Sequence, residues 1–186
     1  MRYIIVDLEA TCWEGRTPVE KMETIEIGAV ALAGASAGTP WVAAGEFASF
    51  VRPVASPQLS DFCRRLTSIE QRDVDGAGYF WEVFPAFAEW AGAEEFAWCS
   101  WGGYDLNQLR ADCRRHGIAF PAAFERHINL KREFARLNRV DRCGLAAALS
   151  LKGLPLVGTH HRGIDDARNI AALAVGILPA LESGGY

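Results

Sequence analysis

The residues with the most chemical content are in Tyr3-Ile-Ile-Val-Asp7-Leu-Glu9, an apolar run that ends in two carboxylates two positions apart. Such a run reads as a buried strand. Strand side chains alternate faces, so Asp7 and Glu9 project to the same side. Two like charges at that separation repel, and partial burial raises the pKa of each. A divalent cation between them turns the repulsion into attraction. The competing reading is a strand end that has left the sheet, with both acids in water, because charges are rarely buried unpaired.

Three further segments offer partners. In Trp98-Cys-Ser-Trp-Gly-Gly-Tyr-Asp105 a strand ends in a glycine pair and a helix opens with Asp105 in its first turn. An acid there complements the helix dipole, or is aimed into a cleft beside the first strand. In Gly158-Thr-His160-His161-Arg-Gly-Ile-Asp165-Asp166 a loop histidine precedes a helix-start acid by five positions, and the two doublets leave the pairing open by one residue. Asn129 ends another predicted strand, either as the cap of the next helix or as a group facing substrate. Four carboxylates (Asp7, Glu9, Asp105, Asp166) and one histidine make a two-metal site chemically sensible. Hard oxygen ligands suit Mg²⁺ or Mn²⁺ rather than zinc. Two ions about 3.5–4 Å apart can stabilise both the attacking and the leaving oxygen of phosphodiester cleavage. A neutral histidine can take the proton of the attacking water at physiological pH.

The elements that must position these groups follow from periodicity. After the first strand, residues 11–22 are polar and turn-rich. Thr24 to Leu32 and Gly45 to Val51 read as two strands, with Gly34 to Pro40 as a hairpin connection. From about 60 to 92 the spacing is helical, and Phe80, Val83, Phe84, Phe87 and Trp90 form one apolar stripe that reads as core. Glu95 to Ser100 reads as a strand, Tyr104 to His116 as a helix ended by Gly117, and His127 to Leu130 as a short strand. Helices are then expected up to Asn138, over Gly144 to Lys152, and from Gly163 or Ile164 to Leu181. Alternating strands and helices after an initial meander favour an α/β domain with a mixed sheet.

The 186 residues fit one domain, half of them are apolar, and no repeat or low-complexity tract interrupts them. No apolar stretch approaches the roughly 20 residues a membrane helix needs, and the charges within the first ten residues argue against a signal-peptide core. Five scattered cysteines form no C-x-x-C pair. That argues against a disulfide framework and for a reducing, cytoplasmic setting. The net charge of −4 is unevenly spread: residues 1–109 hold 7 Lys+Arg against 16 Asp+Glu, and residues 110–186 hold 12 against 7. An acidic metal-binding half beside a basic half suits a polyanion.

Together, Asp7-x-Glu9, Tyr104-Asp105 and His161-x-x-x-x-Asp166, in this order, resemble the DEDDh (DnaQ-like) 3′–5′ exonuclease superfamily. The finer similarity is to its Eri-type exoribonucleases, related to the histone-mRNA 3′-exonuclease. It is carried by Val6-Asp-Leu-Glu-Ala-Thr-Cys-Trp13 with Ile25-Glu-Ile-Gly-Ala-Val30, by Ile128-Asn-Leu-Lys131, and by His161-Arg-Gly-Ile-Asp-Asp-Ala-Arg-Asn-Ile-Ala171.

The resemblance implies an RNase H-like fold, a five-stranded mixed sheet flanked by helices, with one DEDDh exonuclease domain over residues 1–186. It implies stepwise release of 5′-mononucleotides from a 3′ end. Asp7, Glu9, Asp105 and Asp166 would be ligands of two divalent ions and His161 the general base, with backbone at Ala10 and Thr11 near the terminal 3′ hydroxyl. His160 is a residue the motif does not explain. Relatives acting on histone mRNA carry an extra nucleic-acid-binding domain for which this length leaves no room, so stem-loop recognition is not expected.

Single-stranded RNA or a short 3′ overhang is the expected substrate. DNA 3′-end trimming and a catalytically silent RNA-binding module are the alternatives. Arg110, Arg114 and Arg115 on the helix after Asp105, with Lys131, Arg132 and Arg136, form a set of which part is expected to contact substrate phosphates, a solvated face being the alternative; Arg110 and Arg114 lie one turn apart on the same face. Trp13 is a candidate for stacking on a terminal base or for anchoring its loop.

Overall fold

The computed structural model describes residues 2–34, 40–92 and 96–183. Five strands form one mixed sheet: β1 (Arg2–Ala10), β2 (Thr24–Ala33), β3 (Val42–Phe50), β4 (Phe96–Ser100) and β5 (His127–Asn129). Their order is β3-β2-β1-β4-β5. β1–β2 and β2–β3 are antiparallel, whereas β1–β4 and β4–β5 are parallel. Seven helices are described: α1 (Asp61–Thr67), α2 (Gln71–Asp75), α3 (Phe80–Ala91), α4 (Tyr104–His116), α5 (Leu130–Asn138), α6 (Leu145–Leu151) and α7 (Gly163–Ser183). This is the helix-flanked, five-stranded mixed sheet that the resemblance implies.

The strand β1 divides the core. Tyr3 and Ile5 pack into one cluster with Leu130, Phe134, Ala148, Ile170 and Ala174, on the side of α5, α6 and α7. Ile4, Val6 and Leu8 pack into the other with Phe84, Phe87 and Leu109, on the side of α3 and α4. The aromatic stripe of α3 is therefore core, as its spacing predicts; each such ring contributes about 2–3 kcal/mol by leaving water. Continuing the alternation, Asp7 and Glu9 fall on the face where α7 lies.

Several boundaries differ from the sequence expectation. β3 begins at Val42 rather than Gly45, because Val42 and Ala43 pair with Ala33 and Leu32 across a register shift. The helical stretch from 60 to 92 is three helices. Ser68 ends α1 in a left-handed conformation (φ 58°), and a second break follows α2 at Gly76. Leu130 opens α5 instead of ending β5, since the Asn129 side chain accepts the Arg132 N–H and caps the helix. Gly144 and Lys152 are caps of α6, and α7 runs on to Ser183. The hairpin connection at 35–39 and Glu95 lie outside the described residues.

One contact sets the position of α7. A methyl group at Gly28, in mid β2, would coincide with the backbone of Gly163 and Ile164; one at Gly163 would stand 3.1 Å from both the Asp7 carbonyl oxygen and the Gly28 nitrogen. The bare Cα of Gly28 is what lets the helix start touch the sheet beside Asp7, and a side chain at Gly163 would crowd the same contact.

Candidate active site

At the end of β1, the ligand atoms of Asp7 and Glu9 meet one carboxylate from the first turn of α7. Oxygens of Asp7, Glu9 and Asp166 all lie within 4.8 Å of one another. A second group shares Asp166: its carboxylate and the ring nitrogens of His160 and His161 lie within the same distance. Asp105, in the first turn of α4, is buried and accepts the Leu8 N–H at 3.1 Å, which seats that helix start against β1 between the two acids.

The loop before α7 is tied to the same centre. Asp166 accepts the His161 N–H at 2.9 Å, and His160 Nδ1 lies 2.9 and 3.0 Å from its two oxygens. The two imidazoles stack with centroids 4.0 Å apart. His161 has a left-handed backbone (φ 63°), so the loop reverses there. It is held by Glu26, which is buried opposite Glu9 in β2 and accepts the Arg162 Nε–H at 3.1 Å and the Gly163 N–H at 2.9 Å. The Arg162 guanidinium also lies 5.1 Å over the Phe50 ring.

The electrostatics are those of crowded acids. Burial pushes the Asp7 carboxyl well above the usual carboxylate range, and Asp105, Glu9, Asp166 and Glu26 push it further. Glu9 is raised to about 9 by burial and then by Asp166, Glu26 and Asp105. Asp105 rises less, to about 6, because hydrogen bonds from Ser100 and the Leu8 N–H, together with the Lys131 charge, oppose its burial. The His161 imidazole is drawn below its ordinary value by burial and by His160, against the pull of Asp166. Buried oxygen donors that repel when ionised make a cradle suited to a hard divalent cation.

These groups line a cleft of ≈ 410 Å³ that also includes Ala10, Cys12, Met22, Leu66, Trp101, Tyr104 and Lys131. Among the remaining sequence candidates, Thr11 is buried and its hydroxyl accepts the Glu23 N–H at 2.9 Å. Trp13 lines a separate hollow of ≈ 430 Å³ with Lys21 and Arg115. Arg110 pairs with Glu125 and lies 5.5 Å over the Phe120 ring, while Arg114 is exposed. Neither arginine lines the cleft, because the second half of α4 has left it. Asn129 caps α5.

Lys131 is the member of the basic set that does line the cleft, with Tyr104 of the Tyr-Asp pair beside it, whereas Glu26 and Arg162 have site roles that single-segment reasoning missed. Glu26 stands between apolar strand residues, and a buried acid in mid strand was its available signal. Glu23 is comparable: buried, it accepts the N–H groups of Val54, Ala55 and Ser56 at 2.8–3.0 Å and pins the loop leading to α1.

Comparison with known proteins adds to this geometry. The family model described as Exonuclease (RNase_T) matches residues 4–174. The chain is 34% identical over 191 residues to the 3′–5′ exonuclease Snipper of Drosophila melanogaster, covering 91% of this chain and 66% of that protein. It is 32% identical over 184 residues to the 3′–5′ exoribonuclease 1 of Homo sapiens, covering 94% of this chain and 51% of that one. It thus spans between half and two thirds of the length of these curated relatives. Among solved structures, the nuclease domain of 3′hExo, described as a DEDDh family member bound to rAMP, superposes with a TM-score of 0.86. That match has 31% identity and covers 95% of this chain and 91% of that one.

Proposed function

This chain belongs to the exonuclease family, and on that premise we propose that it is a metal-dependent 3′–5′ exonuclease of single-stranded RNA or short 3′ overhangs. The observation that carries the reading is the meeting of Asp7, Glu9 and Asp166 oxygens within 4.8 Å at one cleft, in the residue order of the family motif. Asp105 stands beside them on the Leu8 N–H. Asp7, Glu9, Asp105 and Asp166 would hold two divalent ions, Mg²⁺ or Mn²⁺. Bound there, the ions would activate the attacking water and offset charge on the leaving 3′ oxygen.

The protein's own groups do the rest. His161, kept neutral by its surroundings near neutral pH, accepts the water's proton on its imidazole. The Glu26–Arg162 pair and the Gly163 N–H keep that loop seated. Met22, Leu66 and Tyr104 give the cleft an apolar wall for the terminal base, with the Ala10 backbone near the 3′ hydroxyl; Thr11 does not line the cleft, and its N–H donates to the Glu23 carbonyl at 2.8 Å. The products are a 5′-mononucleotide and an RNA one nucleotide shorter. We place the activity in one domain over residues 1–186 and in a reducing compartment, in keeping with five free cysteines among the described residues. No helix among the described residues is long and apolar enough to cross a membrane.

The test is a 5′-labelled single-stranded RNA and its DNA counterpart, incubated with Mn²⁺, Mg²⁺ or EDTA, with Asp7→Ala as control. The expected result is a ladder shortening from the 3′ end, metal-dependent, faster on RNA and absent in the variant. Internal cuts, or cleavage that survives EDTA and the substitution, would overturn the reading.

A further inference from the structure

The two walls of the cleft differ in chemistry. On the β2 side, Met22, Leu66 and Cys12 are apolar, and the Tyr104 hydroxyl reaches the Met22 sulfur at 3.9 Å. On the β4–β5 side stand Trp101, just beyond β4, and Lys131, in the first turn of α5. β1 with its two acids lies between them, as the sheet order requires. Lys131 is the one Lys or Arg lining the cleft among the described residues, and no hydrogen bond or ion pair holds it there. Its charge reaches the site, since it helps lower Asp105. Trp101 is partly exposed yet fixed: its Nε1–H donates to the Cys143 carbonyl at 3.1 Å, and its ring meets Phe134 edge-on at 5.5 Å.

The terminal nucleotide brings one phosphate, the scissile one at the carboxylates, and the nucleotide before it brings a second, so the wall that carries the cation suits the preceding nucleotide and the apolar wall suits the terminal base. The unlike walls, set on either side of β1 by the sheet order, thus give the cleft a polarity. We propose that the Trp101–Lys131 wall is a binding subsite for the nucleotide preceding the scissile bond, with the ring against its base or ribose and the ammonium on its 5′ phosphate. This rests on the exonuclease reading above. An aromatic face accepts any base, and a lysine is a point charge suited to a phosphate of any sequence. The subsite therefore favours nucleic acid longer than one phosphodiester, without selecting sequence.

Two dinucleotides isolate the contact: UpU, which has only the scissile phosphate, and pUpU, which adds the 5′ phosphate. Wild-type protein is expected to cleave pUpU with a kcat/KM roughly tenfold above UpU, the size of one hydrogen bond to a charged group. In Lys131→Met that advantage should fall to near parity, mainly through KM. On longer RNA the slope of log KM against log salt should flatten by about 0.7, one single-strand phosphate contact. Trp101→Leu should weaken both dinucleotides, and Trp101→Phe, which keeps a ring but loses the bond to Cys143, should recover most of the loss. Thermal melts of each variant exclude unfolding as the cause.

Equal loss on both substrates in Lys131→Met would make the lysine a partner of the carboxylates and sink the subsite, as would an undiminished preference for pUpU. Wild-type protein that cleaves neither dinucleotide nor longer RNA would overturn the exonuclease reading itself. Cleavage of longer RNA with no preference for pUpU would overturn the subsite alone.

Discussion

Glu9 carries its proton near neutral pH when no cation is present, which fixes the sign of a pH effect on stability. An unfolded glutamate titrates at 4.5 and Glu9 in the fold at about 9, with Asp105 moving from 3.8 to about 6. Each folded value is above its unfolded one, so the fold binds more protons and loses stability as pH rises through those windows. Metal-free protein should therefore melt at progressively lower temperature between pH 5 and 9. Glu9→Gln should flatten that decline in EDTA, and Mg²⁺ or Mn²⁺ should raise the wild-type melting point more at pH 8 than at pH 5.5. A metal-free melting point that climbs across this range would contradict the electrostatics.

The histidines divide similarly. His161→Ala is expected to lower kcat about 10²- to 10⁴-fold, the usual yield of a general base, while calorimetric metal binding persists. Asp7→Ala should lose both. At this scale the two β1 acids were legible because a period of two needs no tertiary information. The histidine doublet was not, since both residues reach Asp166, one by its ring and the other by its backbone N–H.

Elements supply the tolerances. The start of α7 brings Asp166, and the loop carrying His161, to β1 because Gly28 lets the backbone of Gly163 rest on the sheet. Gly28→Ala should force the helix start outward. A shift of about 1 Å at the carboxylates is enough to lower kcat about 10²-fold. The melting point should drop as well, and a variant with wild-type turnover would show that the contact is slack. Helix α4 was read correctly from end to end because Asp105 opens it and Gly117 closes it in a left-handed conformation. The breaks at Ser68 and Gly76 were missed because a residue such as Ser68 adopts φ 58° only under the demands of packing around it. The same limit hid Glu26: that its partner is Arg162, 136 positions away, is a fact of the fold and not of either segment.

At the scale of the molecule, the uneven charge of the two halves has a different meaning from a single basic face. Arg110 is engaged with Glu125, Arg115 with Asp112 and Arg136 with Glu133, so much of the basic half is already neutralised locally. The charge of the cleft is set by four carboxylates against the single Lys131. Affinity for RNA should then depend on the cations that neutralise them. Fluorescence anisotropy with a cleavage-resistant phosphorothioate oligonucleotide should give binding at least about tenfold tighter with Mn²⁺ than in EDTA. Equal binding in the two conditions would move the RNA site away from the acids.

The antiparallel register of β1 and β2 has a practical corollary. The acids stand at the last residues of β1, whereas Arg2 pairs with Ala33 at the other end of the hairpin, and Ala33 in turn pairs with Val42. Helix α7 begins at the acids and its 21 residues carry the chain some 30 Å away. Arg2 at the start of β1, the paired Ala33 and Val42, and the end of α7 thus lie at the pole opposite the cleft. A dye, surface tether or fused module attached at any of the three should leave the path of an incoming RNA end unobstructed, so that digestion by an immobilised molecule can be followed one nucleotide at a time.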